Sequence, residues 1–368
     1  MNLQHVRAMA RKEWWHLLRD PRSLTMILLM PLMLLFLFGY AVRLDISKAP
    51  IGVLQESRDA QSDAIVARFD ASYAFRVVAI FHDRQSLRAA LQAGKIWAGL
   101  VVPVDYAKRL NRHDATLQFL LDGVDANTAR LLRNYAAALI NDYALSLSGR
   151  APPLRIEERS WFNEAKESRL AIVPGVIAIV MAVIGALMTS LTIAREIEYG
   201  NLIMLRTTPL TRGEFLVGKL FPYFFIGMAD LLLAVAAAVY VFDVPLRGSL
   251  PALALVSAVF VLVVMLQGAL ISMMAGNQML ASQISLISTF LPAFLLSGFI
   301  FAIENMPVAL QYLTYVVPAR YYVALSKLIF LKGVSPLLLW TEVAALLAML
   351  LVLMRVTFAR SRRLGLLP

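Results

Sequence analysis

Residues 170–193 read LAIVPGVIAIVMAVIGALMTSLTI and contain no charged side chain. A helix of about 20 apolar residues spans the hydrocarbon core of a bilayer, so this stretch is long enough to cross a membrane. Five more stretches share this character: 24–42, 215–241, 249–273, 280–301 and 336–354. Only 215–241 holds a basic residue in its interior, Lys219, close to its start. The pattern predicts an α-helical polytopic membrane protein with six transmembrane helices.

The composition of the whole chain excludes an ordinary soluble enzyme. Hydrophobic residues make up 60% of the 368 residues and charged residues only 16%, with a mean hydropathy of +0.69. Soluble domains carry about 45–50% apolar and about 25% charged residues. The chain has no Cys, and its four His are not spaced as metal-binding pairs, so we expect no disulfide and no metal site.

The basic residues predict the orientation of the spans. Net charge is +11, of which +3 lies within 43–169 and +8 in the remaining membrane part and its flanks. Lys and Arg concentrate in cytoplasmic flanks. They cluster before the first span, in the 194–214 loop and in the tail 355–368. Both termini are therefore expected in the cytoplasm, and the charge indicates topology and attraction to anionic lipid rather than nucleic acid.

Block 43–169 has the composition of a soluble domain and is expected outside the cytoplasm. Apolar runs at Ile51–Leu54, Phe75–Phe81, Ile96–Val102 and Leu117–Leu121 predict strands. Helices are expected at Arg84–Gln92 after the cap Asp83, at 104–112 after Pro103, and at about 126–148. A last strand at 155–162 would lead back to the membrane. Alternating strands and helices predict a small α/β domain inserted between the first two spans.

Residues 1–22 predict an amphipathic helix that lies in the membrane interface and stops at Pro21. Apolar residues follow one face, and Arg11, Lys12 and Glu13 lie among the polar positions. Trp14 and Trp15 are the expected interfacial anchors. A plain basic flank that only sets topology is the alternative.

The 194–214 loop begins with charged residues, continues through Gly200 and a short apolar helix to Leu205, and reaches Thr207-Thr208-Pro209-Leu210. Thr211 and Glu214 have the spacing of a capping box for the next helix. A short helix with an apolar face at the cytoplasmic surface predicts a partner protein that covers it. The nearby Gly213–Leu220 imitates a phosphate loop, but Leu220 replaces the magnesium-binding Ser or Thr. Any ATP is therefore expected to be hydrolysed by another subunit.

At these residues the chain resembles the permease subunit of type-2 ABC exporters (the ABC-2 family), in the branch with a large domain between the first two spans. The resemblance extends, in order, over nearly the whole chain. The loop matches the family's Arg-Glu-x-Glu-x-Gly start and its Ser/Thr-Pro-Leu. The matching loop residues are Arg195, Glu196, Glu198, Gly200, Leu205, Thr208, Pro209 and Leu210, closed by Gly218-Lys219. Further matches are Arg11–Glu13 with Leu18–Pro21, Leu121–Gly123 with Asn127, Glu304–Pro307 and Val317–Tyr321.

The resemblance implies a transport subunit without catalysis of its own. Glu198–Pro209 would be the coupling helix that seats in an ABC ATPase subunit, which would bind the ATP and Mg²⁺. Residues 302–335 would form paired re-entrant helices at the outer side, with breaks at Met306-Pro307 and Pro318. Their expected gate residues are Glu304, Asn305, Pro307, Pro318 and Arg320. A second permease subunit, identical or different, would complete a dimer in the bacterial inner membrane. A periplasmic membrane-fusion adaptor and an outer-membrane channel are the other expected partners, with 43–169 in the periplasm and an amphiphilic or hydrophobic exported substrate.

Asp230, in the middle of the third span, departs from the family pattern. A carboxylate there costs about 2.5–3.5 kcal/mol on insertion scales, so it is expected to face a bundle interior or a water path. It would either contribute to the translocation path with Gln267 and Gln283, or bond to a neighbouring polar side chain such as Ser285, Ser288 or Thr289. Two other functions remain open: an ion-coupled transporter that uses Asp230, and a membrane receptor with an outer sensing domain. The first would need inverted repeats, and the sequence contains no recognisable ones.

Overall fold

The computed structural model describes residues 2–41, 48–57, 59–112, 114–124, 126–147 and 168–363. The chain divides into two compact units, Met1–Arg43 with Ser160–Pro368, and Leu44–Arg159. The first is the helical membrane unit, and the second contains a small sheet with helices. This division follows the predicted boundaries of an inserted domain at 43–169 to within about ten residues at each end. The predicted strand at 155–162 lies outside the described residues.

The membrane unit begins with helix α1 at Leu3–Leu18, capped by the Asn2 side chain, and continues with α2 at Pro21–Ala41. The prediction that Pro21 stops the first helix was wrong in detail. The helix ends at Leu18, and Pro21 is the first residue of α2, a position where proline's missing N–H is not needed. Most of the predicted span at 24–42 lies in α2, whose apolar core is Leu29–Tyr40.

Five helical segments in the described part of the chain are long and apolar enough to cross a membrane. They are Ile172–Glu198, Arg212–Tyr240, Leu250–Ala275, Gln278–Leu296 and Pro336–Arg363. They correspond in order to the second to sixth predicted spans. The segment that corresponds to the predicted span 280–301 ends at Leu296, and the one that corresponds to 336–354 extends to Arg363.

The helices of these segments are α7 (Ser168–Glu198), α9 (Arg212–Tyr240), α10 (Leu250–Ala275), α11 (Gln278–Ser285), α12 (Leu291–Leu296) and α15 (Trp340–Arg363). The short helix α8 (Asn201–Arg206) lies between α7 and α9 and belongs to none of them. A π-helical turn at Leu286–Phe290 joins α11 to α12, and a 3₁₀ turn at Pro336–Leu339 precedes α15. The most apolar stretch of α7 is 83% buried, against 6% for that of α15. Helix α7 is therefore the central helix of this unit.

Small residues bring α7 and α10 into close contact. A Cβ on Gly268 of α10 would lie 2.1 Å from the Thr189 hydroxyl and 2.3 Å from the Ala186 carbonyl oxygen of α7. Membrane helices gain packing energy where small residues let backbones approach in this way. The Ser272 hydroxyl of α10 also accepts hydrogen bonds from the backbone N–H groups of Ile193 and Ala194. These contacts fix the end of α7 that leads into α8.

The segment before α15 contains two short helices, α13 at Val308–Thr314 and α14 at Pro318–Lys327, followed by a π-helical turn at Leu328–Lys332. The predicted break at Pro318 is present, since Pro318 opens α14. The break predicted at Met306-Pro307 lies before α13 and not between the two helices. Pro307 is the N-cap of α13, where its fixed φ suits the chain reversal.

The second unit is a four-stranded sheet of order β2-β1-β3-β4. Its strands are β1 (Ala49–Gln55), β2 (Phe75–Phe81), β3 (Ala98–Val102) and β4 (Gln118–Leu121). In the described residues β1 pairs in parallel with β2 and β3, and β3 pairs antiparallel with β4. Its helices are α3 (Ala60–Asp70), α4 (Arg84–Gln92), α5 (Tyr106–Asn111) and α6 (Ala126–Leu147). The predicted α/β pattern is confirmed for these residues. Helix α3, capped by Asp59, was not predicted, and α5 begins at Tyr106 rather than at 104.

Apolar side chains cover both faces of this sheet. Ile65, Phe69 and Leu132 pack with the strands in one cluster, and Leu87 and Ala90 of α4 pack in another. A parallel sheet buried on both faces is typical of α/β units. This unit therefore has a hydrophobic core of its own.

Candidate functional site

The loop between α7 and α9 forms a short helical projection. Helix α7 ends at Glu198, Gly200 takes a left-handed conformation (φ 71°), and α8 follows at once. A side chain at Gly200 would be strained by this positive φ. Thr207 and Thr208 end α8 by donating hydroxyl hydrogen bonds to the carbonyl oxygens of Met204 and Leu205. Residues 198–209, called the coupling segment below, are therefore an ordered turn–helix–turn.

The apolar side chains of the coupling segment divide between two directions. Leu202 and Leu205 pack against the buried cluster that includes Ile193 and Leu210. Ile203 and Met204 are 71% and 73% exposed. The helix is thus anchored on one side and leaves an apolar surface uncovered on the other, as the sequence predicted.

Two of the predicted coupling residues contact the start of α11. The Arg195 Nε donates to the Gln278 side-chain oxygen at 3.2 Å. The Glu198 carboxylate accepts from the Gln278 backbone N–H at 2.9 Å and from its side-chain amide at 3.1 Å. Gln278 was not a predicted site residue. Its position just after the αL residue Gly276 and the N-cap Asn277 is a local signal for a tight α10–α11 turn, but not for this contact.

A buried group of charges lies at the base of the coupling segment. The Lys219 ammonium of α9 contacts the carboxylates of Glu13 (2.7 Å) and Glu196 (2.9 Å), and it also donates to the Thr192 carbonyl oxygen at 3.2 Å. Lys12 donates to Glu196 at 2.8 Å. These four side chains, the charge cluster, join α1, α7 and α9 with two positive and two negative charges.

The charge cluster changes the interpretation of two predicted residues. Glu13 and Glu196 are both 3% exposed and point into the cluster, so neither carboxylate faces outward in this chain. Arg11, Trp14 and Trp15 are exposed, in keeping with the predicted interfacial helix. Helix α1 nevertheless packs directly on α9, because a Cβ on Gly218 would lie 2.7 Å from that of Met9.

A second contact ties α1 to the beginning of α9. Thr211 and Glu214 form the predicted capping box. The Glu214 carboxylate also accepts from the Asn2 backbone N–H and lies 3.0 Å from His5 Nδ1. One carboxylate thus caps α9 and holds the amino-terminal end of α1, and only the first of these roles followed from the sequence.

The three residues predicted for the translocation path have different surroundings. Gln267 lines a cavity of about 190 Å³ between α7, α10 and α12, together with Thr289 and Pro318. Neither Asp230 nor Gln283 lines this cavity, and Gln283 is exposed. Asp230 is buried, and within the described part of the chain neither of its oxygens has a hydrogen-bond partner. The expected bond from a neighbouring polar side chain is therefore not formed in this structure.

The predicted gate residues lie around α13 and α14. Glu304 and Asn305 form a 3₁₀ turn just before Pro307. Arg320 of α14 donates to the Thr314 hydroxyl and stacks on the Tyr315 ring, with its guanidinium carbon 3.9 Å from the ring centroid. Glu304 and Arg320 line a cavity of about 700 Å³ with Glu342 and Lys327. Two of the five gate residues, Glu304 and Arg320, thus line one cavity, whereas Pro318 lines the cavity beside Gln267, and the role of all five stays a prediction.

Residues 21–359 match the family described as ABC-2 family transporter protein. The chain belongs to the ABC-2 transporter family. The match covers α2 to α15 and includes the coupling segment and the second unit. The coarse identification drawn from the loop motif is therefore confirmed.

Relatives within the ABC-2 family match over nearly their full length. The probable multidrug ABC transporter permease YbhS of Escherichia coli K12 is 38% identical over 371 residues, covering 99% of this chain and 98% of the relative. The probable multidrug ABC transporter permease YbhR of the same strain is 30% identical, covering 96% and 97%. The inner membrane transport permease YhhJ is 23% identical, covering 94% of each. This chain is thus similar to whole permease subunits.

Proposed function

We propose that this chain is the membrane-spanning subunit of an ATP-driven exporter and that the coupling segment is the docking site for its ABC ATPase. The observation that carries the proposal is the exposed pair Ile203 and Met204 on a helix whose base is fixed by Glu198, Gln278 and Leu210. A rigid base with an exposed apolar tip suits a contact that transmits movement, because the tip cannot shift without moving the helices beneath it.

The path of that movement leads through the charge cluster and α7. Helix α7 runs without interruption from Ser168 to Glu198, and α8 follows it after two residues. A push on α8 would act directly on the central helix. The charge cluster would carry the same displacement to α1 and α9, so these helices would move as one body. The bound ATP and Mg²⁺ would belong to the partner ATPase, and alternating access would follow from rigid-body movement of the spans.

The substrate we propose is amphiphilic or hydrophobic. The cavity beside Gln267 is lined mainly by apolar side chains and has room for only part of such a molecule in a single subunit. A second permease subunit, of the same or a different kind, would complete the path. The inserted α/β unit would lie in the periplasm and dock a membrane-fusion adaptor that leads to an outer-membrane channel.

The docking proposal predicts a selective loss of the ATPase. Ile203→Asp places a charge in the proposed interface, so the chain should no longer co-purify with the ABC ATPase encoded beside it. Val124→Asp is the matched control, because Val124 is 95% exposed but lies in the second unit. It should leave co-purification and coupled ATP hydrolysis unchanged. Equal binding by both variants would place the ATPase contact elsewhere.

An ion-coupled transporter is the second candidate, favoured by the buried and unpartnered Asp230. A carboxylate inside a membrane is commonly part of a proton or ion pathway. The two functions separate in proteoliposomes that contain the chain with or without its ATPase. Uptake that follows a proton gradient without ATP and is lost in Asp230→Asn would favour ion coupling. Uptake that needs ATP and persists in Asp230→Asn would exclude it.

A further inference from the structure

The cavity of about 700 Å³ between α14 and the start of α15 contains charges of both signs. Its lining includes Arg320 and Lys327 from α14, Glu304 from the preceding 3₁₀ turn, and Glu342 from the first turn of α15. Arg320 and Lys327 are seven residues apart, a spacing that places both on one face of the helix. Nothing in the proposed ATPase docking uses this cavity.

Contacts with neighbouring residues hold both cations in place, and each cation keeps N–H groups that these contacts do not use. The Arg320 guanidinium lies against the rings of Tyr315 and Tyr321, at 3.9 and 5.8 Å from their centroids. The Lys327 ammonium donates to the Gly298 carbonyl oxygen at 3.2 Å, and this uses one of its three N–H groups. Two positioned cations with free N–H groups are suited to a phosphate.

The acidic residues of the cavity do not neutralise these cations. Among the described residues, no ion pair joins Glu304 or Glu342 to Arg320 or Lys327, although all four line the same space. Ser297, also in the lining, is 2% exposed, and its hydroxyl has no hydrogen-bond partner in the described structure. Buried polar groups are rarely left unpaired. The Ser297 hydroxyl is therefore available to a ligand with a hydrogen-bond donor. Glu342 accepts from the Thr341 hydroxyl at 2.5 Å and Glu304 is exposed, so both carboxylates keep room for further donors.

The position of the cavity indicates a membrane lipid. Thr341, Glu342 and Ala345 belong to the first turns of a membrane-spanning helix, and Trp340 beside them is exposed, as expected at a membrane–water interface. Neighbouring residues of α14 and α15, with α10, line a largely apolar groove of about 430 Å³. The charged cavity suits a lipid headgroup, and the apolar groove along the same two helices suits an acyl chain.

We propose that this cavity binds a zwitterionic phospholipid headgroup with a primary ammonium, of the phosphatidylethanolamine type. Arg320 and Lys327 hold the phosphate, and Glu342 and Glu304 accept hydrogen bonds from the ammonium. The Ser297 hydroxyl supplies a further acceptor. This lipid site does not rest on the proposed ATPase docking, which uses residues 198–209, although Glu304 and Arg320 are also predicted gate residues.

The test is lipid binding to the purified full chain in detergent, measured by native mass spectrometry. Three lipids with the same acyl chains are compared: phosphatidylethanolamine, phosphatidylglycerol and diacylglycerol. Phosphatidylethanolamine should bind about tenfold more tightly than diacylglycerol, a difference of about 1.4 kcal/mol. Lys327→Gln should weaken both phospholipids, because it removes a phosphate contact. Glu342→Gln should weaken phosphatidylethanolamine alone, because phosphatidylglycerol has no ammonium.

Lys332→Gln is the matched control, because Lys332 is exposed in the turn that follows α14 and does not line the cavity. It should leave all three affinities unchanged. The proposal is overturned if the wild-type chain does not prefer phosphatidylethanolamine to diacylglycerol, or if Lys332→Gln has the same effect as Lys327→Gln. It is also overturned if Glu342→Gln weakens both phospholipids equally, a readout that does not depend on the folding of the Lys327 variant.

Discussion

Two ionisable residues on helix α9, Lys219 and Asp230, are both buried in the membrane unit, yet their surroundings differ. Lys219 uses its three N–H groups on Glu13, Glu196 and the Thr192 carbonyl oxygen. Asp230 has no hydrogen-bond partner in the described structure. The same helix thus holds one ionisable side chain whose hydrogen-bonding groups are all used and another whose groups have no partner in the described structure.

The difference in hydrogen bonding indicates that Lys219 has a structural role, whereas the same cannot be said of Asp230. A buried ion pair gives little net stability over an apolar replacement, but removal of one partner leaves an uncompensated charge and is strongly destabilising. Lys219 therefore fixes how α1, α7 and α9 fit together. Within the described structure no hydrogen bond orients the Asp230 carboxyl group, and this is the observation on which its proposed role in ion coupling rests.

The largest effect is expected from Lys219→Met. This substitution keeps the length of the side chain but leaves Glu13 and Glu196 buried without their common partner. Loss of one member of a buried pair costs about 3–5 kcal/mol. Thermal unfolding of the full chain in detergent should show a clearly lowered midpoint, and α1 should become sensitive to protease.

Lys12→Met is the control for that prediction. Lys12 contacts the same Glu196 carboxylate, but its side chain is 47% exposed. After this change Lys219 still contacts Glu196, so no buried charge is left alone. The unfolding midpoint of Lys12→Met should therefore fall much less than that of Lys219→Met. Equal destabilisation by the two variants would show that Lys219 does not hold the cluster together.

A smaller effect of opposite sign is expected from Asp230→Asn. The amide keeps the shape of the side chain and replaces a carboxyl group that has no hydrogen-bond partner in the described structure. Since a neutral amide costs less to bury than a group that can ionise, we expect the unfolding midpoint to be unchanged or raised. A midpoint lowered as far as that of Lys219→Met would mean that Asp230 is paired in the native protein, and the contrast between the two residues would fail.

The sequence predicted those parts of this contrast that depend on local spacing. Thr211 and Glu214 lie three residues apart, so their capping box could be identified from the chain alone. The same holds for the short helix between Gly200 and Pro209, and for the unusual position of Asp230 within an apolar span. The sheet of the second unit was also recognisable, because its strands are short apolar runs separated by helical stretches.

The partners of Lys219 could not be identified in this way. Glu13 is 206 residues away along the chain and Glu196 is 23 residues away, so only the packing of three helices brings them together. A Lys near the start of an apolar span and a Glu within a basic helix were signals that each needed a partner. Nothing in the sequence said that they were partners of each other. Likewise, α3 was missed because its large apolar residues, Ile65, Val66 and Phe69, lie among alanines and polar residues and form no longer helical stripe.

The smallest effect on stability is expected at Asp59, whose carboxylate accepts several hydrogen bonds but lies close to solvent. Asp59 caps α3 and accepts from the Ser57 hydroxyl and from the backbone N–H groups of Gln61 and Ser62. The Ser57 hydroxyl, followed by the Ser62 N–H, lowers the pKa of Asp59 below its usual 3.8. A depressed pKa means that the ionised form is favoured by folding. Its contribution is therefore present in full above that usual value and is lost as the pH falls through the lower folded value.

Asp59→Ala should accordingly cost about 1 kcal/mol, the usual value for a lost N-cap, which is less than Lys219→Met. Hydrogen exchange of the α3 amides in the full chain measures this directly. At about pH 5 the variant should exchange roughly fivefold faster than the wild type, and the ratio should shrink once the pH falls below the usual Asp pKa and Asp59 is protonated. Asp63→Ala is the control, because Asp63 lies in the first turn of the same helix but is not the cap. A pH-independent ratio would show that the cap does not depend on the charge of Asp59. The stability that Asp59 gives to α3 would then come from its hydrogen bonds and not from its charge. The contrast between Lys219 and Asp230 would likewise have to be explained by their hydrogen bonds alone.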